Sequence, residues 1–308
     1  MNSKFEEQLY QRIAEEKIHK DELLSKHTTF KIGGPADYFI MPSNQEELQS
    51  VLLLCKEYQM PYYVIGNGSN LLVGDKGYRG VIIQLFQNYQ SITFEETEEN
   101  HVRFTASAGV LLSALASEIA KQSCTGFEFA SGIPGTLGGA VTMNAGAYGG
   151  EIKDCIEQAV LLDENGTVHT LKKEQLELGY RSSIIQKESY IVLEASFIFS
   201  KGNQTEIYEK MKELNEKRRD KQPLEYPSAG STFKRPEGYF AGKLIMDAGL
   251  KGYRIGDACV SEKHCGFVIN MGAATAADVR TLMQEVDKIV YEKNGVHLEP
   301  EVRMIGEF

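Results

Sequence analysis

The chain has 308 residues, of which 42% are hydrophobic and 25% are charged, proportions that are ordinary for a folded protein with two or three packed units. Its formal net charge of -10 argues against binding along a nucleic-acid duplex, because neutralising phosphates requires a clustered excess of lysine and arginine. Local basic sites for a small anion remain open.

Cysteine usage and hydropathy bear on the compartment of the protein. The five cysteines form neither a CxxC pair nor a cluster with histidine, so we expect reduced thiols and no metal site. The N-terminal stretch MNSKFEEQLYQRIAEEKI lacks the apolar core of a signal peptide. No stretch approaches the roughly 18 apolar residues that a membrane span needs. We therefore expect a cytoplasmic protein with no membrane or nucleic-acid partner.

The first 122 residues mix helical and strand periodicity. Residues 1–20 have the spacing of an amphipathic helix, and Gly33, Gly34 and Pro35 predict a tight turn between short strands. Further elements are predicted as helices over 46–59 and 111–122 and as strands over 61–66 and 81–85. This order favours an α/β or α+β domain.

The rest of the chain predicts a mixed sheet followed by a separate unit. Strands are predicted over 159–162, 168–171 and 190–199, and Asn165-Gly166 indicates a hairpin between the first two. A charged helix over 205–221 ends near Pro223, which favours a domain boundary near residue 205. The following unit is predicted to hold a helix at 241–248, a strand at 266–270, a capped helix at 275–294 and a final strand in 297–306.

The first motif with chemical meaning is GNGSN at 66–70, which directly follows the predicted strand YYVI. Its small residues let successive backbone N–H groups converge on an anion, as in a phosphate nest. The motif is neither GxGxxG nor GxxxxGK[ST], because Leu71 occupies the third glycine position and no lysine follows. Ordinary Rossmann and P-loop sites are thereby excluded, and a plain turn at the end of a strand is the alternative.

The second motif is GIPGTLGGAVTMNAGAYGGE at 132–151, in which seven glycines are expected to interrupt every regular element. Glycine inside an element costs about 0.5 to 1 kcal/mol relative to alanine. A close approach of the backbone to a large ligand therefore explains the run better than local stability does. A tightly packed crossover between domains is the alternative.

Six ordered blocks make the sequence closely similar to the MurB family of UDP-N-acetylenolpyruvoylglucosamine reductases over nearly its whole length. The blocks are TTFKIGGPAD (28–37), GNGSNLL (66–72), the segment 132–151, GYRSS (179–183), AGSTFKRP (229–236) and LEPEVRMIG (298–306). The resemblance implies an α+β fold with an FAD-binding domain of the vanillyl-alcohol oxidase (PCMH) type. Its two α/β subdomains would be 1–88, completed by the tail 299–308, and 89–204, and a C-terminal α+β substrate-binding domain would be 205–298.

The resemblance also implies a reaction. NADPH as co-substrate would reduce non-covalently bound FAD, and hydride would pass to the enolpyruvyl double bond of UDP-N-acetylglucosamine enolpyruvate, giving UDP-N-acetylmuramate for peptidoglycan synthesis. Hydride addition pushes charge onto an enolate, so the site needs a cation and a proton donor. The matching residues are Arg181 for the carboxylate and its enolate, Ser231 for protonation, and Glu301 for carboxylate stabilisation or proton relay.

Two larger sets of residues follow from the same resemblance. The FAD cradle would comprise two runs of mostly small residues: Gly66, Asn67, Gly68, Ser69, Asn70 and Leu71, then Gly132, Ile133, Pro134, Gly135, Thr136, Gly138, Gly139, Asn144 and Gly146. The substrate-binding part would comprise residues that are mostly basic: Tyr148, Lys221, Lys234, Arg235, His264 and Arg303. A core histidine is the alternative for His264, and a charged helix face is the alternative for Lys221.

The chain resembles the shorter branch of the family, without the tyrosine-bearing insertion that closes over substrate, and Arg235 stands where some members have asparagine. Two other functions are considered: an oxidase of the same fold, which often anchors flavin covalently, and a non-catalytic nucleotide-sugar-binding module. Neither histidine nor cysteine occurs in 66–72 or 131–151. Because Arg181, Ser231 and Glu301 are all present, the sequence favours the reductase, and we expect a monomer.

Overall fold

The structure, a computed structural model, describes residues 3–97 and 100–308. The chain divides into two compact units, and each unit is assembled from three separate segments. The first unit comprises Met1–His19, Phe39–Asn67 and Val81–Arg218, and the second comprises Lys20–Tyr38, Gly68–Gly80 and Arg219–Phe308. The functional division into 1–88, 89–204 and 205–298 stays a prediction.

Helices form where apolar side chains recur every three or four residues. The helices of the described residues are α1 (Ser3–Arg12), α2 (Gln45–Glu57), α3 (Leu112–Lys121), α4 (Leu137–Met143), α5 (Ile152–Cys155), α6 (Ile184–Lys187), α7 (Gln204–Lys221), α8 (Ala241–Asp247) and α9 (Ala276–Asn294). In α2, for example, Leu48, Val51 and Leu52 are fully buried. Within the described ranges, no helix has an apolar stretch long enough to cross a membrane.

The strands of the described residues are β1 (Ile18–Leu23), β2 (Pro35–Ile40), β3 (Tyr62–Ile65), β4 (Leu71–Val73), β5 (Tyr78–Gln84), β6 (Ile92–Glu96), β7 (His101–Ser107), β8 (Cys124–Thr125), β9 (Gly146–Ala147), β10 (Gly150–Glu151), β11 (Ile156–Leu162), β12 (Val168–Lys172), β13 (Ile191–Lys201), β14 (Arg254–Ile255), β15 (Ala258–Val260), β16 (Val268–Asn270) and β17 (Arg303–Ile305). One sheet has the order β1-β2-β5-β3, with β3 parallel to β5. The division between the units passes through β1, β2 and β5.

The first unit also contains an antiparallel sheet with the strand order β12-β11-β13-β7-β6, and the short β8 pairs with β13. Aromatic side chains cover one part of this sheet. Phe127 packs against Phe197 and Phe199 of β13, with both pairs of ring centroids 5.6 Å apart, and Phe199 also contacts Phe104 of β7. These buried rings give the sheet its apolar core.

The second unit has its own core around α9. Val279, Leu282 and Val286 of this helix are fully buried and belong to one apolar cluster with Ile245 of α8 and Val268 of β16. The antiparallel sheet β14-β15-β16 belongs to the same unit. The parallel pair β4 and β17 joins residues 71–73 to residues 303–305.

Most predicted elements are present. The helices expected at 46–59, 111–122, 205–221, 241–248 and 275–294 correspond to α2, α3, α7, α8 and α9, and the strands expected at 61–66, 81–85, 159–162, 168–171, 190–199 and 266–270 correspond to β3, β5, β11, β12, β13 and β16. The Asn165-Gly166 hairpin is also confirmed: Asp163 N donates to Thr167 O at 3.0 Å, and Gly166 has φ +79°.

Three local predictions were wrong. The N-terminal helix ends at Arg12, and residues 18–23 form β1 because Lys17 O accepts a hydrogen bond from Met41 N, which starts long-range pairing. Residues 1–2 of the predicted helix lie outside the described residues. Only one strand flanks the turn at Gly33 to Pro35, since a 3-10 turn, Leu24–His27, precedes it. The final strand covers only Arg303–Ile305 of the predicted range 297–306.

The glycine-rich segment 132–151 is more regular than predicted. It contains α4 and the short pair β9 and β10. Leu137, Ala140 and Val141 are buried along one side of α4, and this apolar contact stabilises a helix in spite of Gly138 and Gly139. The glycines therefore do not interrupt every element.

Two carboxylates fix the start of α9. Thr275 Oγ1 accepts from Asp278 N while Asp278 Oδ2 accepts from Thr275 N, both at 3.0 Å, which is a capping box. Asp75, from the segment after β4, accepts from Ala276 N at 2.7 Å and from Ala277 N at 3.0 Å. The carboxylate thus satisfies two amides that have no partner inside the helix.

We predict that Asp75→Ala lowers the free energy of unfolding by about 1 to 2 kcal/mol, because two helix-terminal amides lose their acceptor. Asp75→Asn should cost less, since one amide oxygen remains. Urea unfolding measures both, with the exposed Asp220→Ala as the control that changes stability by less than about 0.5 kcal/mol. Equal effects of Asp75→Ala and Asp220→Ala would contradict this capping role.

Candidate active site

The two glycine-rich motifs contact each other in the first unit. Gly66 follows β3, and a Cβ at this position would lie only 2.0 Å from Thr136 Oγ1. Thr136 is 2% exposed and directly precedes α4. Gln84 Nε2 donates to Gly66 O at 3.0 Å and fixes the start of the loop. Glycine at 66 is therefore required for this approach of the two motifs.

The second half of the first motif lies in the second unit. Gly68 has φ +66°, and a Cβ there would lie 2.0 Å from His27 O. Thr29 N donates to Gly68 O at 3.2 Å. The conformation and the close packing both require glycine, so the TTFKIGGPAD block supports the loop that follows β3.

The hydrogen bonds of the loop 66–70 leave backbone donors available. Its carbonyls at positions 66, 68 and 70 accept from Gln84, Thr29 and Arg303. Within residues 3–97 and 100–308, the N–H groups of Asn67, Gly68 and Ser69 have no acceptor within hydrogen-bond distance. Successive free amides in a loop of small residues suit a phosphate group.

The start of the second motif is anchored through its backbone. Leu137 N donates to Val110 O and Gly138 N donates to Ala108 O, both at 2.8 Å. Gly135 O accepts from Leu112 N at 3.0 Å. Gly139, by contrast, is exposed, and a Cβ there would meet only Thr136 Oγ1 at 4.0 Å. This face of α4 offers bare backbone to a ligand.

The remaining residues predicted for the cradle have varied surroundings. Pro134 is exposed, Gly132 and Ile133 are half-buried, and Gly146 belongs to β9. Leu71 is buried in β4. Asn144 ends α4 in the left-handed region with φ +46° and is 1% exposed. Its side chain is turned into the protein, so its direct contact with a cofactor stays a prediction.

Arg181 occupies a tight turn in the first unit. Gly179 N donates to Ser182 O at 3.0 Å and Ser182 N donates to Gly179 O at 3.3 Å, and Arg181 between them has φ +54°. Its guanidinium carbon lies 5.0 Å from the centre of the Tyr180 ring. A non-glycine residue with positive φ is strained unless its neighbours hold it.

A carboxylate lies in the electrostatic field of this arginine. Glu151 accepts from Lys153 Nζ at 2.9 Å and from Asn144 Nδ2 at 2.8 Å. Lys153 first, then Asn144 and the charge of Arg181, lower the pKa of Glu151. Glu151 is therefore ionised at neutral pH and shares its charge among these partners.

The segments that contain Ser231 and Glu301 pair with each other in the second unit. Thr232, next to Ser231, has its carbonyl oxygen bound by Glu301 N at 2.8 Å, and Lys234 N donates to Glu299 O at 2.8 Å. The hydroxyl of the buried Thr232 also accepts from Val268 N at 2.8 Å. Ser231 itself is exposed, next to the hydrogen-bonded residue Thr232. Sequence blocks that lie far apart in the chain thus form one local arrangement.

The loop of the first motif joins this arrangement through Asn70. Asn70 Nδ2 donates to Glu301 O at 3.1 Å, and Arg303 N donates to Asn70 O at 3.0 Å. The side chain of Arg303 is exposed on β17. The predicted cofactor-binding loop and the predicted catalytic glutamate are therefore neighbours in the second unit.

The predicted substrate-binding residues differ in their contacts. Lys234 Nζ is paired with Glu299, and the guanidinium of Arg235 lies 3.9 Å from the centre of the Phe240 ring. His264 Nδ1 accepts from Gly266 N at 3.1 Å, so its neutral form carries the proton on Nε2. Burial, with the nearby charge of Lys221, lowers the pKa of His264. Tyr148 is exposed in the first unit with φ +54°.

Arg218 was missed by the sequence analysis. It is half-buried on α7 in the first unit, and its Cδ would lie 3.2 Å from a Cβ at Gly132. Burial lowers its pKa, whereas the nearby Tyr148 acts in the opposite direction. Among residues 3–97 and 100–308, no carboxylate or carbonyl pairs with its guanidinium. Its position in a highly charged helix gave no signal, because the sequence does not distinguish a half-buried arginine from Arg219 beside it.

Comparison with known proteins identifies two domain families in the chain. Residues 36–172 match an FAD-binding domain, and residues 222–305 match the C-terminal domain of UDP-N-acetylenolpyruvoylglucosamine reductase. The chain is 58% identical to the UDP-N-acetylenolpyruvoylglucosamine reductase of Lachnoclostridium phytofermentans, covering 100% of this chain and 99% of that protein. It is 52% identical to the enzyme of the same name from Clostridioides difficile, covering 96% and 95%.

A solved structure extends the similarity to the fold. The UDP-N-acetylenolpyruvylglucosamine reductase (MurB) of Thermus caldophilus superimposes with a TM-score of 0.76 at 36% identity, covering 92% of this chain and 97% of that one. The predicted α+β fold with an FAD-binding part and a C-terminal reductase domain is confirmed. On these matches, the chain belongs to the MurB family of UDP-N-acetylenolpyruvoylglucosamine reductases.

Proposed function

We propose that this protein uses FAD and NADPH to reduce the enolpyruvyl group of UDP-N-acetylglucosamine enolpyruvate, giving UDP-N-acetylmuramate for peptidoglycan precursor synthesis. Family membership supports the activity. The observation that carries the assignment of residues is the pairing of Thr232 with Glu301 at 2.8 Å. Ser231 and Glu301 therefore lie on two segments that are hydrogen-bonded to each other, and we assign to them the proton transfer that the carbanion requires.

The residues of the two glycine-rich motifs fit FAD. Free amides at Asn67, Gly68 and Ser69 suit its phosphates, and the bare backbone at Gly139 suits a flat ring system at close range. When bound, FAD supplies the two-electron chemistry that carries hydride from NADPH to the substrate double bond. The protein supplies binding, orientation and charge.

The proposed role of Arg181 is to hold the substrate carboxylate and stabilise the enolate that develops on it. A planar guanidinium can donate two parallel hydrogen bonds to a carboxylate. The hydrogen-bonded turn holds the backbone of Arg181 in one conformation, and this restricts the direction of its side chain. A cation fixed before the reaction stabilises developing charge without reorganisation.

The proposed role of Ser231 is to protonate the carbanion, with Glu301 assisting carboxylate stabilisation or relaying the proton. A serine hydroxyl is a weak acid, so the reaction needs close placement and a group that restores the proton. Backbone pairing on both sides of Thr232 restricts the position of Ser231. Glu301 lies on the segment that pairs with Thr232, and we assign this task to its carboxylate.

Cationic residues serve the anionic groups of the ligands in this proposal. Arg218 and Lys221 project from consecutive turns of α7, and neutral His264 can donate from Nε2. Lys234 and Arg235 are less available, because Glu299 pairs with the first and Phe240 stacks with the second.

We also propose a cytoplasmic monomer without nucleic-acid or membrane partners. The net charge of -10 and the free thiols at all five cysteines support this proposal.

We predict that Ser231→Ala leaves the reduction of bound FAD by NADPH unchanged and slows flavin reoxidation by the enolpyruvyl nucleotide about 100-fold, because only the second half-reaction uses the proton. Anaerobic stopped-flow absorbance of the flavin measures both steps. The control is Ser200→Ala, an exposed serine of β13, which should alter neither rate. Equal losses in both half-reactions would contradict the role of Ser231, and no reoxidation of the wild type by this nucleotide would overturn the reductase assignment.

We predict opposite effects of Gly139→Ala on the protein without and with FAD. The apoprotein should gain about 0.5 to 1 kcal/mol of stability, because alanine favours a helix and its Cβ has space. Binding of FAD should weaken about tenfold, because the methyl group intrudes on the cofactor.

Urea unfolding of the apoprotein and titration with FAD, followed by flavin fluorescence, test the two effects separately. Unchanged FAD affinity in a stabilised Gly139→Ala apoprotein would remove this glycine from the cofactor-binding set. A destabilised apoprotein would mean that the space beside Gly139 is already used by the protein.

A further inference from the structure

The turn that carries Arg181 is attached to the end of α4 by side-chain hydrogen bonds. Asn144 Nδ2 donates to Gly179 O at 3.0 Å. Ser183 Oγ and Gln186 Nε2 donate to Thr142 O at 2.7 and 2.8 Å. Gln186 Nε2 also lies 3.1 Å from Arg181 O. Residues on both sides of Arg181 are thus fixed to the same two residues of the helix terminus.

Asn144 has every polar atom of its side chain engaged. Besides the bond to Gly179 O, Nδ2 donates to Glu151 Oε2 at 2.8 Å, and Oδ1 accepts from Lys153 N at 2.9 Å. The residue is 1% exposed. A buried amide with two donors and one acceptor satisfied has a single orientation, because a flipped amide would face its partners with the wrong atoms.

The backbone of Asn144 contributes to the same arrangement. Its φ of +46° ends α4 and turns the chain toward β9. Asparagine and glycine tolerate this left-handed conformation better than other residues. The residue therefore performs two separable tasks: its backbone ends the helix, and its amide holds Gly179 of the turn.

We propose that Asn144 is a positioning residue for Arg181, which it places through the carbonyl of Gly179. The inference rests on the proposed function of Arg181. It also gives α4 a role: Thr136 and Gly139 at its start belong to the predicted FAD cradle, and Asn144 at its end holds the cation for the substrate carboxylate. One short helix thereby sets the spacing between the cofactor-binding backbone and Arg181.

The test uses the holoenzyme and separates the two tasks of Asn144. Asn144→Gly keeps the left-handed backbone accessible and removes the amide. Asn144→Asp keeps an acceptor for Lys153 N but places an oxygen against Gly179 O and the carboxylate of Glu151. The matched control is Asn100→Gly, because Asn100 is exposed and has a similar φ of +66°. Stopped-flow absorbance follows FAD reduction by NADPH and reoxidation by the enolpyruvyl nucleotide.

Asn144→Gly is expected to leave reduction by NADPH within about twofold of the wild type while reoxidation slows and the KM for the enolpyruvyl nucleotide rises, each about tenfold, because only this half-reaction uses a positioned Arg181. Asn144→Asp should show the same pattern more strongly, and Gln186→Ala more weakly. In the Arg181→Gln background, Asn144→Gly should add less than about twofold, since residues that act as a unit are not additive.

Three outcomes would overturn the proposal. If Arg181→Gln slows reoxidation but Asn144→Gly does not, the amide does not position Arg181, and the proposed function stands. If Asn144→Gly slows both half-reactions equally or releases FAD, Asn144 acts in the fold or in the predicted FAD cradle and does not position Arg181. If Arg181→Gln leaves reoxidation unchanged, the proposed role of Arg181 fails, and the positioning role fails with it.

Discussion

The close contact between Gly66 and Thr136 is the constraint on which the predicted FAD cradle of the first unit depends. No side chain fits at position 66, since a Cβ would lie 2.0 Å from Thr136 Oγ1. This contact puts the end of β3 beside the start of α4, so two motifs separated by more than sixty residues of sequence act together. Everything that α4 positions, including the Arg181 turn at its far end, is placed relative to this contact.

The half-buried Arg218 differs from many charged side chains of the protein in having no partner of opposite charge among the described residues. Several ion pairs of the described residues are exposed and join side chains close in sequence, such as Lys210 and Lys217 with Glu213, and such pairs contribute little to stability. Arg218, by contrast, is half-buried with no protein acceptor in the described ranges. A cation held in this way has its strongest interactions available for a ligand, because less water competes.

Sequence periodicity predicted the helices α2, α3, α8 and α9 because each has a buried apolar face of ordinary spacing. The helix α7, which buries only Ile207 and Leu214, was predicted from its charged composition and from Pro223 beyond its end. Periodicity failed for β1, whose pairing begins with a contact between Lys17 and Met41 that no local pattern records. It also failed for α4, where burial of Leu137, Ala140 and Val141 outweighs two helical glycines. Resemblance supplied the identities of Arg181, Ser231 and Glu301. Neither periodicity nor resemblance could show that Asn144 Nδ2 donates to Gly179 O, because this hydrogen bond joins residues that are far apart in the sequence and depends on the tertiary fold.

The parallel pairing of β4 with β17 has a consequence for how the protein is made. Asn70 and Glu301, which lie side by side at this pair, are 231 residues apart in the chain. During synthesis from the N-terminus, β4 leaves the ribosome long before its partner exists, and contacts of such large sequence separation close slowly. The second unit cannot be completed until β17 has emerged. The strand β4 therefore spends most of translation without its partner, and an unpaired strand edge is a state in which nascent chains are prone to aggregate.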